Sequence, residues 1–367
     1  MACITSPPAV AGGGAGERSG AEVWASACAS CHGEDGAGRP AAVVGFDVPL
    51  PNLRDCAVAT SEPTPDWIAV VHEGGPVRGL NQIMPAFGDA LSEGEIGRVV
   101  DYVRDFCPRL SAWPLGELNF PRALFTDKAF PEDEVVLTST IALHGAGSVM
   151  NELVYEHRLG ARSMFEVGVP FGFLNQTGAP GNAPGAPTGW TGGLGDLAIA
   201  FKQALVQSAR SGTILALGAE ARLPTGREDR GLGAGVTILA PFLALGQRLP
   251  AGAFVQVHAG ADLPVDFDQS KPEAFWKGVV GWSATPSRFG RMYSPMIEVL
   301  GTRVLTGSAP PTTWDLVPQM QVTLSRRKHI RFDAGVDIPV KGTEDRQMQL
   351  VAYLLWDWFD GGPLEGW

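Results

Sequence analysis

The 367-residue sequence predicts a multidomain chain, a small all-α domain followed by an antiparallel transmembrane β-barrel of about twelve strands. Three observations support that reading. A Cys28-Ala29-Ser30-Cys31-His32 run lies near the N-terminus among segments of helical period. From Glu134 onward the apolar period changes to two. Between these regions, residues 111–133 are rich in proline and carry neither period. The chain therefore divides into a disordered N-terminal tail (1–20), the all-α domain (21–110), an extended linker (111–133), the barrel (134–360) and a C-terminal tail (361–367).

Composition narrows the class. A formal net charge of −11 leaves no general basic surface for phosphates, so nucleic acid is excluded as a partner. Gly 47 and Pro 29 are high, yet 45% of residues are hydrophobic, which implies many turns between buried segments rather than disorder. No uninterrupted apolar run reaches the roughly 18 residues of a membrane helix. Barrel strands escape that test, because only alternate residues face lipid.

In the all-α domain, Glu22 to Ala29 reads as a helix bearing Val23, Trp24 and Ala27. It delivers the Cys28–His32 run, and Gly33, Gly36 and Gly38 then turn the chain. Pro49 to Leu53 reads as extended, and a second helix follows Thr64-Pro65-Asp66 with Trp67, Ile68, Val70 and Val71 at helical spacing. A loop carries Met84-Pro85-Ala86-Phe87-Gly88. Ser92 and Glu95 form a capping-box pattern before a helix whose buried stripe is Ile96, Val99, Val100, Tyr102 and Val103. Two thiols at the spacing of Cys28 and Cys31 add across the two vinyl groups of one haem, and the adjacent His32 imidazole ligates the iron. One covalent haem c is expected. Its attachment follows export, so the leader is expected to have been removed or to lie upstream. Cys3 reads as an ordinary thiol in a loose tail, with a lipidated cysteine as the alternative. Cys56 and Cys107 remain as an even pair and read as a disulfide.

This stretch resembles class I cytochrome c in CASCHG, in MPAFG and in LSEGEIGRVVDYVRDF. The resemblance implies His32 as proximal and Met84 as distal ligand, the pair of a low-spin electron carrier. A thioether ligand stabilises ferrous iron and raises the potential. His72 is the rival distal ligand, and Arg54 and Arg78 are candidate propionate contacts. His72 is read here as a surface or propionate-contacting residue, and the two arginines as solvated loop residues.

Beyond the linker, Phe165, Val167, Val169, Phe171 and Phe173 alternate with Glu166, Gly168 and Gly172. Ile330, Phe332, Ala334, Val336 and Ile338 alternate with Arg331, Asp333, Gly335 and Asp337 in the same way. The connections after odd segments are mostly long (175–195, 224–235) and those after even segments mostly tight (208–211, 249–252), the asymmetry of an outer-membrane barrel with periplasmic turns, which the short first hairpin near Gly145 to Ser148 breaks. Gly193-Leu194-Gly195-Asp196-Leu197 and Leu223-Pro224-Thr225-Gly226 resemble outer-membrane transporters of aromatic-degradation loci. The end departs from the usual barrel pattern, because Trp358-Phe359 is followed by a Gly-Pro tail.

An even strand count puts both barrel ends on the periplasmic side. A domain of about 100 residues, radius of gyration about 13 Å, is too large for so narrow a lumen, so it is expected to cap the mouth with the linker entering. The cap is acidic and lysine-free, whereas the turns carry Arg162, Arg210, Arg248, Arg288, Arg291, Arg326, Arg327 and Lys328, a complementary pairing. Glu166, Lys202, Glu220, Arg222, Asp262, Arg331, Asp333 and Asp337 point inward, as a structural ion-pair network or a cation path. His144 and His258 are too sparse for a metal site. The whole resembles the fused cytochrome–porins of iron-oxidising bacteria. That resemblance implies an outer-membrane electron-transfer protein, rather than a substrate-turnover enzyme, working between an external donor or acceptor such as ferrous iron and periplasmic carriers. The alternative is an outer-membrane pore for small solutes with a tethered periplasmic cytochrome. Expected partners are outer-membrane lipid, periplasmic electron carriers, and an external metal or small solute.

Overall fold

The computed structural model describes residues 17–144, 147–175, 189–307, 312–344 and 346–358. The first helix, α1 (residues 20–32), runs through Gly20–Val23, a wider π turn at Trp24–Cys28, and Ala29–His32. Ser19 starts it with a reciprocal box: its hydroxyl accepts from the Glu22 amide while the Glu22 carboxylate accepts from the Ser19 amide. Residues 17–20, assigned by sequence to the loose tail, are therefore part of the folded domain. Arg18 pairs with Glu95 at 2.7 Å and Glu17 with Arg98 at 2.8 Å, across some 77 to 81 residues of chain. The rest of the tail lies outside the described residues.

Four more helices follow: α2 (Ala41–Val44), α3 (Cys56–Ser61), α4 (Thr64–Glu73) and α5 (Glu93–Arg104). The capping box at Ser92 and Glu95 forms at the start of α5. Its apolar stripe, Ile96, Val99 and Val103, packs against Val23, Trp24 and Leu53 as one core. Gly20 permits the crossing of α1 on α5, because a Cβ there would lie 2.2 Å from the Arg98 carbonyl oxygen and 2.8 Å from the Tyr102 Cβ. The helix α3 was not anticipated; Asp55 caps it by accepting from the Ala57 amide at 2.9 Å. A disulfide joins Cys56 to Cys107, with Leu110 and Trp113 packed on it.

The barrel strands are β1 (Glu134–Ala142), β2 (Ser148–Leu159), β3 (Ser163–Asn175), β4 (Trp190–Leu194 and Leu197–Ser208), β5 (Thr213–Leu223) and β6 (Ile238–Arg248). They continue as β7 (Ala253–Pro264), β8 (Glu273–Trp282), β9 (Tyr293–Val304), β10 (Thr312–Thr323), β11 (Ile330–Lys341) and β12 (Gln349–Asp357). Both parts of β4 pair with β3, so they count as one strand interrupted at Gly195-Asp196. Each strand runs antiparallel to its neighbours, and β1 pairs with both β2 and β12 (Glu134↔Asp357 to Ala142↔Gln349), which closes the ring. The Asp196 carboxylate accepts from the Gly226 and Ala234 amides at 2.9 and 2.7 Å, so the two transporter-like motifs meet in space.

Along each strand, inward residues are buried and outward apolar ones exposed. On β11, Asp333, Gly335 and Asp337 are buried while Phe332 and Val340 are exposed. Leu137, Ile141, Leu153, Ile199, Leu217 and Leu243 face outward in the same manner. Exposed large side chains around a closed ring are an apolar belt that only lipid satisfies. Aromatic rings edge the belt, with Tyr155, Phe165, Trp356 and Trp358 clustered toward one rim and Trp276 against Trp314 toward the other.

The segment before β1 does not stay extended outside. After short 3₁₀ turns at Leu110–Ala112 and Gly116–Leu118, it enters the lumen and returns to begin β1. Phe120 and Phe130 pack there among Ala204, Ile214, Ala216, Ala244 and Phe254.

Candidate haem site and its mounting on the barrel

The π turn at Trp24–Cys28 inserts an extra residue per turn just before the thiols, a device common at functional positions. The Trp24 indole donates to the Gly33 carbonyl at 3.1 Å and packs on Phe106 at 4.9 Å between ring centres. Gly33 turns the chain at a φ of 79°, after which the Gly38 and Arg39 amides donate to the His32 and Cys31 carbonyls at 2.8 and 2.9 Å. Cys28, Cys31 and His32 thus share one helix end locked by its own following loop.

Cys28 and Cys31 are free thiols, both half-buried. Burial pushes the Cys28 thiol up to about 11, with Cys31 adding to the shift. Burial also pulls the His32 imidazole below its usual value, and its Nδ1 is enclosed without a hydrogen-bond partner. Met84, half-buried, lies on a loop pinned to α4. The Gly75 amide donates to the Met84 carbonyl at 3.0 Å, and the Phe87 and Gly88 amides donate to the Val71 and His72 carbonyls at 3.0 and 2.9 Å. A Cβ on Gly74, whose φ is 82°, would lie 2.9 Å from the Met84 carbonyl oxygen, so the approach needs glycine.

These residues fit a covalent haem. Two free thiols and an imidazole stand at the attachment spacing. Cys28, Ile68, Val71 and Phe87 pack on one core yet remain half-covered, as a macrocycle's apolar faces require. The Trp67 indole N–H is buried with no partner, a donor suited to a propionate. The rival residues are engaged elsewhere: His72 pairs with Glu73 at 2.8 Å and Arg54 with Asp35 at 3.0 Å, while Arg78, expected at the surface, is instead buried because it pairs with the buried Asp66.

The same domain is fastened to one rim of the barrel. Asp66 on α4 accepts from Arg78 at 2.9 and 2.6 Å and from Lys328, in the turn between β10 and β11, at 2.7 Å. Arg78 also donates to the Phe289 carbonyl at 2.6 Å, in the long turn between β8 and β9. His329 lies 3.0 Å from Glu62 and 3.6 Å from Asp357. Arg288 pairs with Glu93, and Arg162 donates to the Ala112 carbonyl at 2.8 Å. An acidic cap on a basic rim is therefore realised by Lys328 and Arg288, whereas Arg162 grips linker backbone and Arg248 donates to the Ala209 carbonyl within the rim. Sequence reasoning missed Asp66, Glu62, His329 and Trp67, since each acquires its role from residues more than 200 positions away or from an unfilled valence.

Within the lumen, Arg222 pairs with Glu220 at 3.1 Å and Asp262 at 2.5 Å, and Arg331 pairs with Asp357 at 2.8 Å. These are structural ion pairs. His258 is wedged edge-on between Phe242 and Phe275, and His144 is exposed. Among the described residues no group of three or more His, Cys, Asp or Glu side chains is placed to hold a metal ion.

Residues 15–103 match the family described as "Cytochrome C oxidase, cbb3-type, subunit III", and residues 145–287 match that described as "Putative MetA-pathway of phenol degradation". Among solved structures, an outer membrane channel from Pseudomonas putida F1 aligns at 13% identity and a TM-score of 0.47, covering 65% of this chain and 100% of that one. The KdgM porin aligns at 7% identity and a TM-score of 0.39 (61% and 99% covered), and the NanC porin at 8% and 0.41 (61% and 98% covered). No curated protein matches the chain. The chain joins an N-terminal c-type cytochrome domain, with the covalent haem that such a domain implies, to a closed antiparallel barrel that has twelve strands among the described residues.

Proposed function

We propose that the chain transfers electrons at the outer membrane, through one haem c held by Cys28, Cys31, His32 and Met84. The exchange runs between an external donor or acceptor, for example ferrous iron, and carriers in the periplasm. The observation that carries this reading is the fastening of that ligand set to a barrel rim through the Arg78–Asp66–Lys328 cluster. When bound, the haem supplies a one-electron ferric/ferrous couple. Cys28 and Cys31 would tether it covalently, and His32 with Met84 would ligate its iron and so leave substrates no place to bind. Apart from the connection between β8 and β9, the turns at the docked rim are short, which supports a periplasmic position for the cytochrome, because outer-membrane barrels keep their long loops outside.

The test is a liposome holding a redox dye, with the protein inserted and ferrous iron added outside. Wild-type protein is expected to reduce the dye, and His32→Ala and Met84→Ala to abolish or strongly slow it. Dye reduction that survives both substitutions overturns the proposal.

A further inference from the structure

We propose that Phe289, in the long turn between β8 and β9 (residues 283–292), is a positioning residue for Met84, so that the barrel completes the haem site of the cytochrome. The inference rests on the reading of Met84 as an iron ligand. Rim contacts described above reach Glu62, Asp66, Arg78 and Glu93, which bracket Met84 in sequence. Phe289 stands where two lines of contact lead on to the Met84 loop. The first runs through its carbonyl, which accepts from Arg78 Nη1 at 2.6 Å, and Arg78 is only 6% exposed. Arg78 ends a 3₁₀ turn, Gly75–Arg78, and is held from the side by Asp66. The amide at the start of that turn, on Gly75, is the donor to the Met84 carbonyl, and the Gly75 carbonyl accepts from the Leu80 amide at 3.0 Å. The Met84 amide donates in turn to the Asn81 carbonyl at 3.2 Å.

The second line runs through the half-buried Phe289 ring, which meets the His72 imidazole at 5.5 Å between centres with planes 49° apart. His72 is not free to turn aside. Its Nδ1 is 2.8 Å from Glu73, and its Nε2 is 3.6 Å from Glu93, which Arg288 also holds. The imidazole lies directly against Gly88, where a Cβ would come within 2.5 Å of the His72 Cε1. Gly88 closes the Met84-Pro85-Ala86-Phe87-Gly88 loop, so ring and loop move together or not at all. A methionine side chain is unbranched and flexible, and its sulfur keeps one place only where the main chain beneath it is fixed. Fastening the domain does not by itself call for Phe289, since Lys328 with Asp66 and Arg288 with Glu93 already join cap to rim.

The test is Phe289→Ala in the full, haem-loaded chain, with Phe289→Tyr as the conservative rescue and Arg326→Ala, at an exposed position of the same rim, as control. Haem absorbance and heat-shifted gel migration verify folding. Should Phe289→Ala not fold, Phe289→Leu, which keeps the bulk but not the flat ring, is read by the same measurements. The alanine variant is expected to lose much of the far-red charge-transfer absorption of a ferric thioether–iron bond and to show a lowered reduction potential, because a thioether favours ferrous iron. Its Phe87 and Gly88 amides should exchange hydrogen about tenfold faster. Phe289→Tyr and Arg326→Ala should match wild type in all three readouts. Absorption or exchange unchanged in the folded variant overturns the positioning role and leaves Met84 a ligand. A loss in Arg326→Ala equal to that in Phe289→Ala overturns it as well, since any disturbance of the rim would then suffice. Absence of the absorption from wild type overturns the ligand reading itself, and the positioning role with it.

Discussion

Glu95 serves two elements with one carboxylate. It accepts from the Ser92 amide at 3.0 Å, closing the cap of α5, and from the Arg18 guanidinium at 2.7 Å, tying down the start of α1. The bond from Arg18, with that from Ser92 next, holds this carboxyl down at about 2, against about 4.3 for a free glutamate. A depressed folded value gives stability that is complete above the unfolded value and is lost as pH falls from about 4.3 toward about 2. Glu95→Gln is therefore expected to flatten the loss of urea resistance between about pH 5.5 and pH 2.5, read in the haem absorbance of the cytochrome. Equal slopes in variant and wild type would refute this. The Ser92–Glu95 half was legible in the sequence because its partners are three residues apart. The Arg18 half was not, since that pairing exists only after α1 crosses α5. At the proposed ligand Met84, substitution by alanine (Met84→Ala) is expected to let the ferrous protein bind carbon monoxide, which wild type should refuse.

Among elements, the strands were legible and the short helices were not, for opposite physical reasons. Lipid on one side and packed lumen on the other force a period of two over ten residues, and that pattern survives in Phe165 to Phe173 and Ile330 to Ile338. The helix α2 buries no residue and α3 depends on a disulfide and an Asp55 cap, so neither carries a periodic stripe. Close approach is the other thing that elements hide. Gly20→Ala should cost the cytochrome about 1–3 kcal/mol, because the added methyl collides with main chain that cannot rotate away. In the barrel, Phe120→Ala should cost about 3–5 kcal/mol by leaving a void beside Phe254 and Ile214. Denaturant midpoints measure both, and a change below about 0.5 kcal/mol in either would contradict the packing described.

For the molecule as a whole, attachment of the cytochrome rests on a small polar cluster with little water. The Lys328 side chain is 14% exposed and Asp66 6%, so added salt should leave the docking largely intact, as screening acts mainly on exposed charges. Lys328→Glu should release it, since Asp66 would then face a like charge inside the interface. Amide exchange over residues 64–78 is the readout: protection should persist in about 0.5 M salt and fall in the variant. Unchanged protection in the variant would show that the linker alone holds the domain. The opposite charges of cap and rim were legible in composition, but the choice of Lys328 and Arg288 from eight basic residues was not. Residues 118–132 were legible only as a linker able to enter the lumen, because side chains seeking main-chain groups leave no mark on the sequence they grip. Their place in the chain has one more consequence. Both ends of the segment leave by the rim that carries the haem domain, so it can enter the lumen as a loop from that side, with no free end threaded through the ring that Glu134 and Asp357 close.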